Sequence, residues 1–299
     1  MKKHKGLLKF DVFLTAFYIL IVLYVLSMLF LLLFGVLNSV KDTVDFDIMN
    51  NIFGLPSKKR GWQFGNYIRI FNEFKVSVKA QGEAPRPVYI EEMFLNSLLY
   101  SALMSIFCIA TQVMVSYTIA RFDTKLGKII YTVAIIVMLV PIVGSLPSQV
   151  RFAQLFNLNN SLIGICIMNC KYPGIYFLVF YATFKSLPSA YSEAAQLDGA
   201  SYWRVFLQIY LPMITSTLSA VFILYFITYW NEYQLPMLFL PLKPTVAYGL
   251  YMYQSNVDTS MSTPIKLAAA ISTCIPVILL FVIFRNKIMG NVTIGGIKG

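Results

Sequence analysis

Charge is what this chain has least of. Of 299 residues only 12% are Asp, Glu, Lys or Arg, and the one histidine, His4, stands in the N-terminal tail. A soluble globular domain is about 25% charged and about 45–50% apolar, whereas 58% of this chain is hydrophobic. Such a balance excludes a soluble fold of this length. Glycine and proline are also sparse, 16 and 13 residues against 24 Phe and 19 Tyr, which excludes collagen-like repeats and low-complexity disorder. The four cysteines (Cys108, Cys166, Cys170, Cys274) all lie in apolar stretches. Cys166 and Cys170 can share a helix face, but no histidine or second pair completes a metal site, and the four read as inert packing residues. No nucleophile, metal cluster or acid–base pair recurs at one membrane depth, so no catalytic residue is expected.

What is present is long apolar runs. No Asp, Glu, Lys or Arg occurs in residues 12–40, 93–120, 129–150, 152–170, 205–231 or 267–284. A membrane-crossing helix needs about 20 mostly apolar residues. The windows predict an all-α integral membrane protein with six transmembrane helices near 12–37, 92–119, 128–148, 161–184, 213–238 and 266–285. The first run is about twice the length of a signal-peptide core, and no small-residue cleavage site follows it, so it reads as a permanent span.

The net charge of +11 on a soluble protein would suggest nucleic acid. Here the basic residues lie between apolar runs, so anionic lipid and orientation signals explain them. Lys2, Lys3, Lys5, Lys9, Arg121, Lys125, Lys128, Lys185, Arg204, Arg285, Lys287 and Lys298 fall on one side. That side is the cytoplasm by the positive-inside rule, which puts both termini there. Arg151, Lys171, Lys243 and Lys266 lie in the other short connections or the fourth span, and the remaining eight lie in the long loop after the first span and count against the assignment. The chain then divides into a tail 1–11, the first span, an extracytoplasmic loop 38–91, a core 92–288 with a cytoplasmic segment 186–212, and a tail 289–299. The loop has turn signals at Gly54-Leu55-Pro56, Lys59-Arg60-Gly61 and Pro85-Arg86-Pro87, and is long enough to fold against the outer face.

The cytoplasmic segment between the fourth and fifth spans reads as two short helices. Ser189 or Ser192 can cap the first, with Glu193 near its positive end. Asp198-Gly199 is a stop-and-turn signal, Ser201 can cap the second helix, and Leu211-Pro212 ends it. Small residues at Ala194, Ala195, Gly199 and Ala200 allow another surface to approach. An amphipathic connector on the inner leaflet and a docking site for a partner are equally open on physics alone.

In this segment Glu193-Ala194-Ala195, then Gly199, then Ile209, Leu211 and Pro212 stand in the spacing EAA, three residues, G, nine residues, I-x-L-P. That pattern resembles the cytoplasmic loop of ABC importer permeases. Asp198 before Gly199 is similar to the carbohydrate branch, the maltose and multiple-sugar type. Asn66-Tyr67, Asn96-Ser97, Pro141, Pro147, Trp230-Asn231-Glu232-Tyr233 with Pro236, and the glycine-rich ending 295–299 also fit. The resemblance implies the type I ABC importer fold in a bacterial or archaeal cytoplasmic membrane. It implies as partners a second, non-identical six-span permease, two ATPase subunits and an extracytoplasmic sugar-binding protein. ATP-driven closure would rock the permeases between inward- and outward-open states. Glu193, Ala194, Ala195, Asp198, Gly199, Ile209, Leu211 and Pro212 would form the ATPase-coupling face. ATP and magnesium would sit on the ATPase, with no cofactor on this chain. Gly127-Lys128 is the one Gly-Lys pair, and Phe122 and Ile129 occupy positions where a phosphate-binding loop needs Gly and Ser or Thr.

Polar residues at membrane depth are candidates for the substrate path. Asn169 and Lys171 stand in the fourth span before Pro173, where the helix has reason to open. Lys171 also reads as snorkelling outward or pairing with Glu232. Trp230, Asn231 and Glu232 combine an aromatic face with hydrogen-bonding groups suited to sugar, and serve equally as a hinge or gate. Tyr248, Tyr251 and Tyr253 in the outer segment 240–263 read as binding-protein contacts or as headgroup anchors. An ion-coupled secondary transporter is the alternative class. It calls for several ionisable residues inside the spans, where only Lys171 and Glu232 qualify.

Overall fold

A computed structural model describes residues 12–140, 144–255 and 261–292. The N-terminal lysines, Pro141 and the glycine-rich ending lie outside these. The chain divides into two compact units, Met1–Phe74 with Thr259–Ser272, and Lys75–Asp258 with Thr273–Gly299.

In the first unit α1 runs from Val12 to Ser39, 28 residues or about 42 Å at 1.5 Å per residue, long enough to cross a bilayer. Its side chains from Phe13 to Leu33 are almost all exposed, as expected of a surface meant for lipid. The chain then folds back on the helix end through a π-helical turn, Val44–Ile48, and the short helix α2, Asn66–Glu73. Asn66 Nδ2 donates to the carbonyls of Ser39 and Lys41, each at 2.9 Å, and the hydroxyls of Ser39 and Tyr67 meet at 2.7 Å. Lys41 is fully buried, and its Nζ donates to the carbonyls of Asn51 (2.6 Å) and Ile52 (3.0 Å). Asp45, also buried, accepts the Ser57 backbone N–H at 3.0 Å and the Arg60 guanidinium at 2.7 Å.

The second unit opens with a hairpin that the all-α expectation missed. β1 (Lys75–Val78) pairs antiparallel with β2 (Arg86–Tyr89), Val76 opposite Val88. Val76 and Val78 point inward while Lys75 and Ser77 face out, the two-residue period of a half-buried strand. From it rises α3, Ile90–Arg121, with Glu91 and Glu92 in its first turn and Arg121 in its last, both favourable to the helix dipole. Then follow α4 (Lys125–Leu139), α5 (Leu146–Leu155), α6 (Leu162–Asn169) and α7 (Ile175–Ser186). α8 (Ala190–Leu197) and α9 (Tyr202–Val205) lead through a π-helical turn, Phe206–Tyr210, into α10 (Leu211–Met213). α11 (Thr215–Trp230), α12 (Gln234–Phe239) and α13 (Val246–Ser255) complete this part. Helix α14, Thr263–Val292, belongs partly to each unit.

α3 is the spine against which α6, α7, α11 and α13 pack. Its buried face carries Ser97, Ser101, Ser105, Cys108, Gln112 and Ser116, small or polar residues that let neighbouring helices come close. One core cluster gathers at its far end around Tyr117, Phe184, Phe206 and Tyr210. A second surrounds Tyr100, Met104, Cys166 and Phe239.

The six predicted spans are realised unequally. Among the described residues, Phe13–Ser39, Ile90–Arg121 and Thr263–Phe284 are each long and apolar enough to cross a membrane, and Tyr202–Met213 with Thr215–Trp230 form a fourth if that pair, bent by 75°, is one span. The predicted third span is α4 followed by α5, with Gly144 at φ +80° between them and Pro147 in the first turn of α5. The predicted fourth span is two pieces, α6 and α7. Pro173 lacks the N–H an unbroken helix needs and disfavours helical backbone at Tyr172.

Two predictions follow from this packing. An added Cβ at Gly164 would stand 2.8 Å from the Leu158 carbonyl oxygen, while one at Gly65 would touch nothing. Gly164→Ala should therefore cost about 1–3 kcal/mol as overpacking against backbone and lower the unfolding temperature, with Gly65→Ala near wild type; equal melting of the two would refute that fit.

The second prediction concerns Asp45. The Ser57 N–H, followed by the Arg60 guanidinium, holds its carboxyl below the usual carboxylate range against the opposing effect of burial. Because the folded value is depressed, this stabilisation is present above about pH 4, the unfolded range, and is lost as pH falls through the folded value. Asp45→Asn mimics the protonated form and should open Lys58 and Lys59 to trypsin at pH 7. Cleavage at the wild-type rate would remove Asp45 from this role.

Candidate functional site

The segment 186–212 stands as two short helices joined by a tight turn. Ser189 holds the N-cap position of α8 without a side-chain bond to the helix, whereas Ser201 Oγ accepts the Arg204 N–H and caps α9. Gly199 adopts φ +80°, a left-handed conformation that glycine reaches without steric cost. The second helix ends within one residue of the stop expected at Leu211-Pro212. It continues to Met213, because the preceding turn widens to the π form and the Leu211 N–H reaches the Phe206 carbonyl. That widening accommodates a proline whose ring would otherwise clash with the carbonyl four residues back. α8 buries none of its residues. Glu193, Ala194, Asp198, Gly199 and Pro212 are exposed, while Ala195, Ile209 and Leu211 are half-buried. Leu197 is 89% exposed, and Tyr191, Tyr202 and Trp203 are exposed beside it. Apolar exposure of this kind around two carboxylates suits a surface that another protein covers.

Arg121, at the last turn of α3, ties this segment down. Its Nη2 donates to the Leu187 carbonyl at 2.9 Å, and its guanidinium lies 4.2 Å from the centre of the Tyr210 ring. The Tyr210 hydroxyl donates to Ser192 Oγ at 3.0 Å. One side chain thus joins α3, the start of the segment and its second helix. Sequence reading counted Arg121 only as a cytoplasmic charge.

A second constellation surrounds the interruption of the fourth apolar segment. Residues 170–174 leave the helix between α6 and α7. The Asn169 carbonyl meets Cys108 Sγ at 3.6 Å, and the Lys171 carbonyl meets Gln112 Nε2 at 3.4 Å. Gln112 Nε2 also donates to the Tyr225 hydroxyl at 2.7 Å, and the Tyr229 hydroxyl lies 3.1 Å from Cys108 Sγ. The rings of Tyr225 and Tyr229 stack at 5.8 Å. Gln112 is 1% exposed, and its Oε1 lacks a hydrogen-bond partner among the described residues. Cys108, expected to be inert packing, is thus part of a polar seam.

The expected path residues are only partly gathered there. Asn169 and Lys171 join the seam through their backbone. The Lys171 side chain is exposed and makes no ion pair with Glu232. Glu232 instead accepts the N–H groups of Gln234 (2.7 Å) and Leu235 (3.2 Å) at the start of α12. Trp230 is buried, with Nε1 donating to the Thr273 carbonyl at 3.1 Å and its ring against Phe226 and Phe94. Asn231 is exposed and donates to the Ile227 carbonyl. Tyr248 and Tyr253 are buried rather than displayed. The Tyr253 hydroxyl accepts from the Lys75 N–H at 2.9 Å and donates to its carbonyl at 2.6 Å, pinning α13 to β1. Tyr251 is half-buried and stacks on Tyr233 at 4.3 Å.

Residues 112–288 match the family described as binding-protein-dependent transport system inner membrane component. The chain belongs to this family. Its relatives include the diacetylchitobiose uptake system permease protein NgcG of Streptomyces coelicolor, 27% identical over 92% of this chain and 86% of that one. Another is the arabinooligosaccharides transport system permease protein AraQ of Bacillus subtilis, 25% identical over 96% and 95%. The fold matches a chain of a bacterial ABC transporter involved in the import of the acidic polysaccharide alginate, with a TM-score of 0.73 at 18% identity, covering 92% of this chain and 96% of that one. The permease is thus a multi-pass membrane protein and a transport component rather than an enzyme, working with an ATPase and a binding protein.

Arg121→Ala should loosen the segment 186–212 by about 1.5–3 kcal/mol, the range for a lost hydrogen bond to a charged group, and raise trypsin cleavage after Lys185 and Arg204. Tyr210→Phe keeps the ring beneath the guanidinium and should be milder. Unchanged cleavage in Arg121→Ala would deny the strut.

Proposed function

We propose that this permease forms half of the translocation path of an ATP-driven importer for an oligosaccharide or related sugar handed over by an extracytoplasmic binding protein. The observation that carries the reading is the exposed helix–turn–helix with Glu193, Asp198 and Gly199, lying within the span matched to the family. Three relatives with sugar cargoes in their names, the two above and the melibiose/raffinose/stachyose import permease protein MelC of Bacillus subtilis, support the cargo class. In this reading the chain crosses a prokaryotic cytoplasmic membrane six times with both termini inside. α4 with α5, and α6 with α7, act as interrupted crossings.

The coupling face comprises Glu193, Ala194, Ala195, Asp198, Gly199, Ile209, Leu211 and Pro212. It docks on one of two ATPase subunits, which bind the ATP and magnesium, while this chain binds no cofactor. A second, non-identical permease completes the path. The seam around Gln112, Tyr225 and Tyr229, with the open backbone at Asn169 and Lys171, lies on the path. Trp230, Asn231 and Glu232 support it, given their engagement with backbone groups. Of the tyrosines, Tyr251 remains a binding-protein contact, while Tyr248 and Tyr253 shape the segment that presents it. Ion-coupled transport is the weaker reading, since it calls for several ionisable residues inside the spans and only Lys171 and Glu232 qualify.

The reading is tested by purifying the chain from its native membrane in mild detergent. Wild type should bring down an ATPase, a second permease and a sugar-binding protein, and Glu193→Lys should lose the ATPase alone. Recovery of wild-type chain without an ATPase would overturn the proposal, and so would full ATPase retention and transport by Glu193→Lys.

A further inference from the structure

The loop after α1 carries an apolar surface that the coupling face, the polar seam and the proposed path leave unused. Phe53 is 78% exposed, and Ile48, Met49, Leu55, Trp62, Phe64, Ile68 and Phe71 are exposed as well. These side chains do not hang from a slack linker. Lys41 grips the carbonyls of Asn51 and Ile52, Asn51 Nδ2 donates to the Leu55 carbonyl at 2.8 Å, and the Gln63 N–H donates to the Val40 carbonyl at 2.7 Å. Everything is bolted to residues 38–41, the end of the first apolar helix.

The tip does not project away from that end. The Phe53 ring lies 5.6 Å from the Phe34 ring, which in turn lies 6.0 Å from Phe30. Phe34 is five residues short of the end of α1, so the tip reaches back about 7.5 Å along the helix axis. The segment it reaches has a mean hydropathy of 3.0. A helix of about 42 Å also exceeds a hydrocarbon core of about 30 Å, and the polar cluster of Asn38, Ser39 and Lys41 at its C-terminal end suits the hydrocarbon–headgroup boundary. Trp62 and Phe64 stack at 6.3 Å on the same loop, and Lys58 and Lys59 are exposed between tip and stack. Aromatic rings at that boundary with lysines beside them match the chemistry of a lipid interface.

We propose that this loop is an interfacial lipid anchor, with Phe53 and Leu55 inserted in the outer leaflet beside α1, Trp62 and Phe64 at headgroup depth, and Lys58 and Lys59 facing lipid phosphates. The Phe53 ring extends the apolar surface of α1 at Phe34, and aromatic rings flanked by exposed Lys58 and Lys59 suit lipid headgroups as the occupant. The inference rests on α1 being a membrane span with this loop outside, and not on the cargo. By fixing the loop at the membrane surface, the anchor would set the depth at which the outer face meets its binding protein.

The test places the photoreactive residue p-benzoylphenylalanine at position 53, 62, 23 or 81 of the permease, in the native membrane with its partners present. Illumination couples the probe to C–H bonds within reach, and mass spectrometry identifies the adduct. Position 23, in the middle of α1, reports lipid, and position 81, in the hairpin turn, reports water. Positions 53 and 62 should give phospholipid adducts several-fold above position 81. A cross-link from position 53 to another polypeptide would assign the surface to a protein partner and overturn the anchor. Yields at 53 equal to those at 81 would overturn it too, leaving the importer reading intact. Absence of lipid adducts at 23 would show that α1 is not a span, and the anchor would fall together with that topology.

Discussion

Backbone that leaves a helix inside a membrane has to find its hydrogen bonds in the protein, because hydrocarbon offers none. In the six-span reading the interruption at 170–174 creates that demand, and α3 meets it with Cys108 and Gln112 facing the carbonyls of Asn169 and Lys171. The same helix supplies Ser116 Oγ to the Phe177 carbonyl and Ser97 Oγ to the Val246 N–H. Its buried face therefore carries serines and a glutamine where a soluble core helix would carry leucine. The small side chains admit α7 and α11 at close range, and the polar ones hold the irregular backbone between them. Such a seam is held by a few directed bonds that join α3, α11 and the open backbone.

The outer loop meets a related demand by other means. A fully buried lysine is costly unless its charge is matched, and Lys41 has carbonyls to hold and Asp45 nearby to offset its burial. In exchange, a segment of irregular backbone is fixed at the end of α1. Its apolar side chains then face outward as a set, in a fixed relation to the apolar helix.

Much of the fold was legible in the sequence because lipid imposes length. The runs without charge marked α1 and α3 almost to their ends, and the middle of α14, which extends past both limits of its run. The coupling segment was legible because Gly199 and Ser201 act through local backbone chemistry, the left-handed turn and the N-cap, which depends on near neighbours only. Pro173 was also a local signal. The hairpin at 75–89 was missed because four-residue strands gain their stability from pairing and from Tyr253, far along the chain. Arg121, Gln112 and Tyr225 were missed for the same reason: each acts through residues more than sixty positions away. Tyr248 and Tyr253 were read as surface aromatics because sequence at a membrane edge does not distinguish a ring facing headgroups from a ring buried against a hairpin.

The second coupling helix meets α11 at 75°, and the corner falls where Pro212 removes a donor and Ile214 is buried in the core. If an ATPase docks on the exposed face of α8 and α9 as proposed, two chains of contact lead from there into the helical core. One passes round the corner into α11, whose Tyr225 and Tyr229 stand at the polar seam. The other passes through Tyr210 and Arg121 into the end of α3, which supplies the opposite side of that seam. Both routes converge on Gln112 and Cys108, and through them on the unwound backbone at Asn169 and Lys171. The segment is thus held at two points, by its continuation into α11 and through Arg121 to the end of α3, and Gln112 joins both helices to the irregular stretch where the fourth segment opens.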